Sequence, residues 1–274
     1  MKSTVKNLLS ARGIKLVSPV PLSALTVTRP YLLARHGIEG GTAFMFAVPY
    51  YTTVCDDPAR NISVYAVSRD YHRFFEALFD EVLPILRDKF PKNRFVGFTD
   101  HSPIAEGEAA VKAGLGMFGC NHLFLTKEHS SFVFLGEIIT DAVIDCEVKK
   151  ISVCTACDAC QRACPVGLDV TRCLSALTQK KGALDRDAQK AILAHGIAWG
   201  CDTCQERCPV TRAAKDAGTL YSTIPFFREN TIAHLTTEAI TAMSDEEFAA
   251  RAYSWRGREV ILRNLALLEG KEQL

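Results

Sequence analysis

The sequence lacks any hydrophobic run of the length that a membrane span requires. Although 48% of its 274 residues are hydrophobic, no segment approaches the ~18 to 20 uninterrupted apolar residues of a transmembrane helix. Residues 1–13 also lack a long apolar stretch followed by a small-residue cleavage site, so we expect no secretory signal. The sequence therefore predicts a cytoplasmic protein with no membrane partner.

An excess of charge of either sign is also missing. The chain has 32 basic and 31 acidic side chains, which give a formal net charge of +1. Proteins that bind duplex DNA or tRNA usually carry a basic excess or a basic face. The overall charge thus provides no electrostatic indication of a nucleic-acid partner, while a local basic face remains compatible with it.

Cysteine, in contrast, is abundant, with eleven residues. A disulfide framework is not expected, because the cytoplasm keeps thiols reduced. Cys55, Cys120 and Cys146 stand alone and suit small buried hydrophobic positions, although Cys120 follows a glycine loop and its role is left open by the sequence. The other eight cysteines are concentrated between residues 154 and 208, which isolated core positions do not explain.

Hydrophobic periodicity predicts alternating strands and helices over residues 1–150. The first forty residues indicate only a short helix and a loop. Strands are predicted at 43–51, 62–67, 94–99, 122–126 and 131–140. Helices are predicted at 69–90, where Pro84 should kink or shorten the helix, and at 103–113. This alternation is typical of an α/β or α+β layered structure.

Beyond residue 150 the pattern changes to short helices punctuated by cysteines, followed by a helical tail. Ser244 and Glu247 form a capping box, residues 256–268 have helical spacing, and no solenoid repeat is present. We therefore predict three parts: an α/β domain over 1–150, a ferredoxin-like domain over 151–212 and a helical segment over 213–274. The predicted fold class is α+β.

The clustered cysteines have the spacing of a two-cluster ferredoxin. The first run is C-x2-C-x2-C-x3-C followed by Pro165, and the second is C-x2-C-x3-C followed by Pro209. In such runs the fourth cysteine binds the other cluster. One [4Fe–4S] cluster would then take Cys154, Cys157, Cys160 and Cys208. The other would take Cys164, Cys173, Cys201 and Cys204.

Structural zinc is the competing interpretation, because zinc sites also use C-x2-C pairs. Zinc ribbons combine two such pairs into one site of four ligands. They do not explain a third cysteine in the first run, or a Cys-Pro pair that follows three residues later in both runs. The spacing therefore favours two iron–sulfur clusters over zinc.

Four further segments resemble the epoxyqueuosine reductase family, which is cobalamin-dependent and carries two [4Fe–4S] clusters. They read YAVSRDYH at 65–72, TDHSP at 99–103, AGLGMFG at 113–119 and SFVFLGE at 131–137. The resemblance extends from about residue 43 to 268. It is poor in the first forty residues, and Cys120 stands where the family usually has lysine. Longer members continue into helical repeats that help to hold tRNA, and we expect a short member without them.

The resemblance implies a cobalamin site in the N-terminal domain. Asp100 would be the proton donor, with a pKa raised by burial beside the corrin; the alternative is an aspartate that caps a turn. Arg69, Asp70, Tyr71 and His72 would line the corrin, or simply begin an amphipathic helix. His72 is expected to be a polar contact and not a cobalt ligand, because the lower-axial motif Asp-x-His-x-x-Gly is absent.

The glycines Gly114, Gly116 and Gly119 form G-x-G-x-x-G. A dinucleotide site needs a strand before this motif and a helix after it, whereas here a helix precedes and a strand follows. The glycines would instead let the backbone approach a bulky ligand such as the corrin, or form a tight turn.

The function implied by the resemblance is the reduction of epoxyqueuosine to queuosine in tRNA, or a related reductive reaction. A flavodoxin or a ferredoxin would supply the electrons. Two alternatives stay open: a two-cluster protein that relays electrons to a partner, and a protein that services the corrinoid of another protein.

Overall fold

A computed structural model describes residues 1–270 of the chain. Its strands are β1 Leu16–Pro21, β2 Thr42–Pro49, β3 Phe95–Phe98, β4 Met117–Phe118, β5 Phe124–Leu125 and β6 Val133–Thr140. Its first helices are α1 Lys2–Ser10, α2 Pro30–Ala34, α3 Tyr71–Lys89 and α4 Glu106–Lys112. The helices of the cysteine region are α5 Ala159–Ala163, α6 Leu174–Thr178, α7 Arg186–His195 and α8 Thr203–Glu206. The remaining helices are α9 Pro209–Asp216, α10 Pro225–Arg228, α11 Thr237–Ala242, α12 Asp245–Ala249 and α13 Arg258–Leu268.

Four antiparallel strands form the central sheet in the order β1-β2-β6-β3. Every residue of β2 is buried, because alternate side chains point to opposite faces and both faces are covered. Phe44 and Phe46 pack on the same side as α3, whereas Ala43 and Met45 pack on the side of α4. This arrangement of helices on an antiparallel sheet confirms the predicted α+β class.

Helix α3 forms where the sequence predicts it. Asp70 caps its first turn by accepting a hydrogen bond from the backbone N–H of His72 at 3.1 Å. One apolar face, with Phe75, Leu78 and Val82, is buried against the sheet. Pro84 lies inside the helix, which continues to Lys89, so the proline does not end it.

The C-terminal helices share their core with the sheet. Trp199, Tyr253, Ile261 and Leu265 belong to the same buried apolar cluster as Phe46 of β2. The segments after residue 150 are therefore packed against the N-terminal sheet, and the predicted three-part division of the chain stays a prediction. Among residues 1–270, no helix combines the length and the apolar composition needed to cross a lipid bilayer.

Two sequence predictions differ from the structure. The strand predicted at 62–67 is wrong: Val64–Ala66 is a short 3-10 helix. The backbone N–H of Val64 donates a hydrogen bond to the Asp202 carboxylate at 2.8 Å. This N–H is therefore not available to a neighbouring strand, and no strand forms here. Strand β1 was not expected, because it contains prolines, but it lies at the sheet edge, where proline is tolerated.

Candidate metal centres and active site

The eight clustered cysteines line two separate cavities, four in each. The first cavity is bordered by Cys154, Cys157, Cys160 and Cys208, together with Cys120. The second is bordered by Cys164, Cys173, Cys201 and Cys204. These are the two sets that the crossed ferredoxin spacing predicts. Each cavity therefore combines cysteines from both runs.

Local backbone structure brings the two runs together. The left-handed residues Ala156 and Asp158, with φ of 52° and 58°, bend the first run around its cavity. The short helix α5 that follows packs against α8 of the second run. Pro209 is the first residue of α9 and Cys208 is its N-cap, so the helix start fixes the position of Cys208.

All eight side chains are free thiols. Among residues 1–270, no group of three or more His, Cys, Asp or Glu side chains is arranged to hold a single metal ion. The thiols differ in their surroundings: burial raises the pKa of Cys204 to about 11, while the backbone N–H of Ala156 lowers the pKa of Cys154. The imidazole of His195 lies 3.4 Å from the sulfur of Cys201.

A buried polar network attaches the second cysteine run to the N-terminal domain. The carboxylate of Asp202, between Cys201 and Cys204 in sequence, accepts a hydrogen bond from the Ser63 hydroxyl at 2.6 Å. It also forms a salt bridge with the Arg60 guanidinium at 3.0 Å. Because Asp202 is only 2% exposed, these partners are needed to compensate its burial.

A third cavity, of about 450 Å³, opens beside the start of α3. It is lined by Tyr65, Asp70, Tyr71, His72, Asp100, Gln179, Ala252 and Trp255. Four of the residues predicted as site residues, namely Asp70, Tyr71, His72 and Asp100, are thus brought together. We call it the Asp100 cavity.

Hydrogen bonds join these four side chains. The Tyr71 hydroxyl donates to the Asp100 carboxylate. The ring nitrogens of His72 lie 2.8 Å from the carboxylate of Asp70 and 3.2 Å from that of Asp100. Bonding to both carboxylates, first to Asp100, raises the pKa of His72 to about 10. His72 is therefore a charged imidazolium at neutral pH.

The expectation of a raised pKa for Asp100 is not met in this structure. Burial does raise the pKa of this carboxyl, but the hydrogen bonds from His72 and Tyr71 outweigh burial, and the pKa is lowered overall. At neutral pH Asp100 is therefore ionised, and the protons near it are held by its two neighbours, His72 and Tyr71.

A strained loop positions Asp100. Its φ of 57° is left-handed, which is uncommon for residues other than glycine. The backbone N–H of Asp100 donates to the Glu106 carboxylate at 3.0 Å. Glu106 in turn hydrogen bonds with Glu137, which is fully buried and also accepts from the Ser102 hydroxyl. Burial raises the pKa of Glu106 to about 7 and the pKa of Glu137 well above its ordinary value, so this carboxyl pair retains protons at a pH where exposed carboxyls have lost them.

A five-residue helix connects the Asp100 cavity to the second cysteine cavity. Cys173 is the N-cap of α6, and Gln179, which lines the Asp100 cavity, is its C-cap. With a rise of 1.5 Å per residue, α6 spans about 8 Å. A group bound by the second cysteine set would lie close enough to the Asp100 cavity to exchange electrons with its contents.

Comparisons with known proteins point in one direction, although no protein-family model matches the chain. Epoxyqueuosine reductase of Gloeobacter violaceus is 31% identical over 208 residues, which cover 72% of this chain and 65% of that relative. A structure of the Bacillus subtilis epoxyqueuosine reductase, with its aspartate catalytic loop swung out of the active site, is 25% identical. It superposes with a TM-score of 0.75 and covers 97% of this chain and 80% of that one.

A third match, a crystal structure of epoxyqueuosine reductase with an epoxyqueuosine-modified tyrosine tRNA stem loop, has the same fold. It is 24% identical, with a TM-score of 0.76 over 97% of this chain and 80% of that chain. The chain belongs to the epoxyqueuosine reductase family. It spans just under two thirds of the length of the Gloeobacter relative and 35% to 54% of other curated epoxyqueuosine reductases.

Other residues that the resemblance to epoxyqueuosine reductases predicted as cobalamin contacts do not line the Asp100 cavity. The Arg69 guanidinium lies over the Phe226 ring, 4.5 Å from its centroid. A Cβ atom on Gly116 would lie 2.1 Å from the Leu125 carbonyl oxygen, and one on Gly119 would lie 2.4 Å from the Asn121 side chain. Gly114 has a φ of 80° at the end of α4 and packs against Lys149. The close approach at these glycines is to the protein's own chain.

Several residues that border these sites were not identified from the sequence alone. They are Asp202, Glu106, Glu137, Asn121, Tyr65 and Trp255. An acidic residue between two predicted ligands, as at Asp202, was a visible signal. The proximity of Glu106 to Glu137 was not, because it depends on how α4 packs on β6.

Proposed function

We propose that the chain is an iron–sulfur, cobalamin-dependent reductase that acts on epoxyqueuosine in tRNA or on a closely related substrate. The observation that carries this proposal is that eight cysteines line two cavities, four in each, and that α6 joins the second of these to a cavity with an imidazole and a phenol. The relatives named epoxyqueuosine reductase support the substrate class.

The donor chemistry of the cysteine cavities fits two [4Fe–4S] clusters. Each cluster needs four thiolates, and each cavity offers one ligand set of four. Cys154, Cys157, Cys160 and Cys208 would hold the first cluster. Cys164, Cys173, Cys201 and Cys204 would hold the second. The domain limits of 1–150, 151–212 and 213–274 belong to the same proposal.

The Asp100 cavity fits part of a corrinoid. Tyr65, Tyr71 and Trp255 provide flat aromatic surfaces, and the polar edge formed by Asp70 and His72 suits the amide side chains of the macrocycle. When bound, the clusters would supply single electrons and the corrinoid a cobalt centre that transfers them to the substrate. Arg69 and the three glycines, which lie outside this cavity, stay predictions as contacts.

The reaction needs protons as well as electrons. Converting an epoxide to an alkene breaks two C–O bonds and releases water, so it consumes two electrons and two protons. The carboxylate of Asp100 is in contact with two groups that hold protons at neutral pH, His72 and Tyr71. We infer that Asp100 passes a proton from these neighbours to the leaving oxygen, and that it does not store the proton itself.

The rim of the Asp100 cavity suits a nucleoside in a single-stranded loop. Trp255 is 58% exposed, and the Arg256 guanidinium lies over its ring, 3.8 Å from the centroid. Lys181 lines a neighbouring cavity with Arg256. Exposed aromatic rings with basic neighbours stack unpaired bases and contact phosphates. This local surface supports a tRNA partner despite the near-neutral net charge.

The electron donor would dock at the first cysteine cavity. Cys157 is exposed, as is Val153, which directly precedes Cys154 in the chain. Electrons from a flavodoxin or a ferredoxin would enter here and leave through the second cavity towards Asp100.

The test is anaerobic reconstitution with iron, sulfide and cobalamin, followed by absorbance and spin-resonance spectra and turnover of an epoxyqueuosine stem loop. We expect about eight irons, the sum of two four-iron clusters, retained corrinoid and product formation. Asp100→Asn should keep iron and corrinoid but lose turnover by about 100-fold or more. Asp88→Asn, at an exposed position on α3, is the matched control and should behave like the unsubstituted protein.

Other outcomes would contradict the proposal. If the protein binds iron but does not retain the corrinoid, the result favours a two-cluster protein that relays electrons to a partner. Corrinoid retention without turnover of any epoxide substrate would favour a protein that services a corrinoid. Full activity of Asp100→Asn would remove Asp100 from the reaction.

A further inference from the structure

Five thiols border the first cysteine cavity, one more than a four-iron cluster needs. The fifth is Cys120, which the ferredoxin spacing does not include. Its sulfur lies 3.6 Å from the sulfur of Cys154. The other two cysteines that are not among the eight predicted cluster ligands are engaged elsewhere: Cys55 is buried against Thr52, and the Cys146 thiol donates to the Ile144 carbonyl at 3.2 Å.

The position of Cys120 is fixed by backbone hydrogen bonds on both sides of the cavity. The N–H of Phe118 donates to the Ser152 carbonyl at 3.0 Å, and the N–H of Cys154 donates to the Phe118 carbonyl at 2.8 Å. This short ladder places the β4–β5 hairpin beside the start of the first cysteine run. Cys154 is hydrogen bonded to Phe118, so the hairpin residues that follow Phe118 lie at the first cysteine cavity, which Gly119, Cys120 and Asn121 line.

The hairpin tip itself has little freedom. The N–H of Gly119 donates to the Leu123 carbonyl at 2.8 Å, and the N–H of His122 donates back to the Gly119 carbonyl at 2.9 Å. No side chain fits at Gly119, since a Cβ atom there would lie 2.4 Å from Asn121. Cys120 is exposed, so its thiol is not retained as core packing.

We propose that Cys120 is a reserve ligand of the first iron–sulfur cluster, able to replace Cys154 on the same iron. The exchange is a proton-coupled ligand swap without oxidation. The Cys120 thiol loses its proton to solvent and its sulfur binds iron, while the Cys154 sulfur leaves iron and takes up a proton. This inference rests on the proposed clusters but not on the proposed substrate.

Iron content tests the swap. The unsubstituted protein, Cys120→Ser, Cys154→Ser and Cys120→Ser/Cys154→Ser are reconstituted anaerobically and their iron and sulfide are measured. We expect about eight irons in the first three and about four to seven in the double variant. Cys154→Ser should also show a changed spin-resonance spectrum. Cys146→Ser/Cys154→Ser is the matched control and should keep about eight irons.

Alkylation followed by mass spectrometry provides a second readout that is independent of iron retention. In the unsubstituted protein Cys120 is unbound and should be modified by iodoacetamide. In Cys154→Ser it should be protected, and chelation of the iron should restore its modification.

The outcomes separate this inference from the proposed function. Equal iron loss in Cys154→Ser and in the double variant, or free alkylation of Cys120 in Cys154→Ser, overturns the reserve ligand and leaves the clusters intact as a proposal. Absence of iron from the unsubstituted protein overturns both.

Discussion

Two aspartates of this molecule have nearly the same kind of partners and opposite surroundings. Asp202 accepts from the Ser63 hydroxyl and pairs with Arg60, and Asp100 accepts from the Tyr71 hydroxyl and pairs with His72. The side chain of Asp202 is 2% exposed, whereas that of Asp100 is 56% exposed. The same combination of carboxylate, hydroxyl and cation is thus enclosed by the protein at Asp202 and open to solvent and ligands at Asp100.

The cations also differ in a way that matters. Arginine keeps its charge at every accessible pH, so the cation of the Arg60–Asp202 pair does not release a proton, and the pair attaches the second cysteine run to the sheet domain. Histidine can release its proton, and Asp100 lies on a strained loop beside a cavity. One aspartate thus holds structure in place, and the other is the one that we propose passes a proton to the substrate.

The largest expected effect comes from removing the buried aspartate. Asp202→Ala leaves Arg60 buried without its main partner, which costs about 3–5 kcal/mol of unfolding free energy. The second cysteine run should then detach from Ser63 and Val64. We expect a lower denaturation midpoint in urea and, after reconstitution, reduced iron content at the proposed second cluster.

Glu206→Ala is the matched control, because Glu206 pairs with the same guanidinium at a 41% exposed position. Its loss should cost about 0–1 kcal/mol. Similar destabilisation by both substitutions would contradict the assignment of Asp202 as the attachment point.

This comparison also shows why some parts of the molecule were predictable from the sequence and others were not. The partition of the cysteines follows from spacing within a short segment, and the structure groups them as the spacing predicts. The cap at Asp70 and the amphipathic face of α3 are equally local. The pairing of Arg60 with Asp202 joins positions 142 residues apart, which no local pattern indicates.

The same limit applies to protonation. The sequence resemblance indicated a raised pKa for Asp100, because an acid catalyst near neutral pH needs one. The structure reverses the direction, since two donors converge on this carboxylate from the start of α3. Similarly, the strand predicted at 62–67 is wrong because Asp202, from a distant segment, binds the N–H of Val64. Long-range polar contacts decide both cases.

A smaller effect is expected from the carboxyl pair that supports the Asp100 loop. The groups facing Glu106 are Asp100, Glu137 and Arg29. Because the pKa of Glu106 is raised from 4.5 to about 7, the folded protein retains a proton that the unfolded chain releases. Stability should therefore fall as pH rises from about 4.5 through about 7, by about 3 kcal/mol.

Glu106→Gln should remove the part of this pH dependence that Glu106 contributes, because the amide does not titrate, whereas the buried Glu137, whose pKa is also raised, continues to contribute. The check is urea denaturation of both proteins at pH 5 and pH 8, with Glu108→Gln as the control on the same helix. Parallel stability curves for the protein and for Glu106→Gln would show that Glu106 retains no proton in the folded protein above about pH 4.5.

The smallest effect on stability concerns His72, and it bears most directly on the contrast between the two aspartates. Its pKa, raised to about 10 by Asp100 and Asp70, means that the ion pairs are fully present below about 6.5. They are lost as pH rises through about 10. Since His72 is half exposed, the stabilisation should be only about 1 kcal/mol.

The measurement is an NMR titration of the imidazole, which should show no change between pH 6 and 8. Asp100→Asn should lower the pKa of His72 more than Asp70→Asn, because Asp100 contributes most to the shift. An imidazole that titrates near 6.5 in the unsubstituted protein would mean that His72 holds no proton for Asp100 at neutral pH. His72 would then not be the cation that supplies a proton beside Asp100, and the proposed contrast with Arg60, which keeps its charge, would fail. The proton transferred through Asp100 would have to come from Tyr71 or from water.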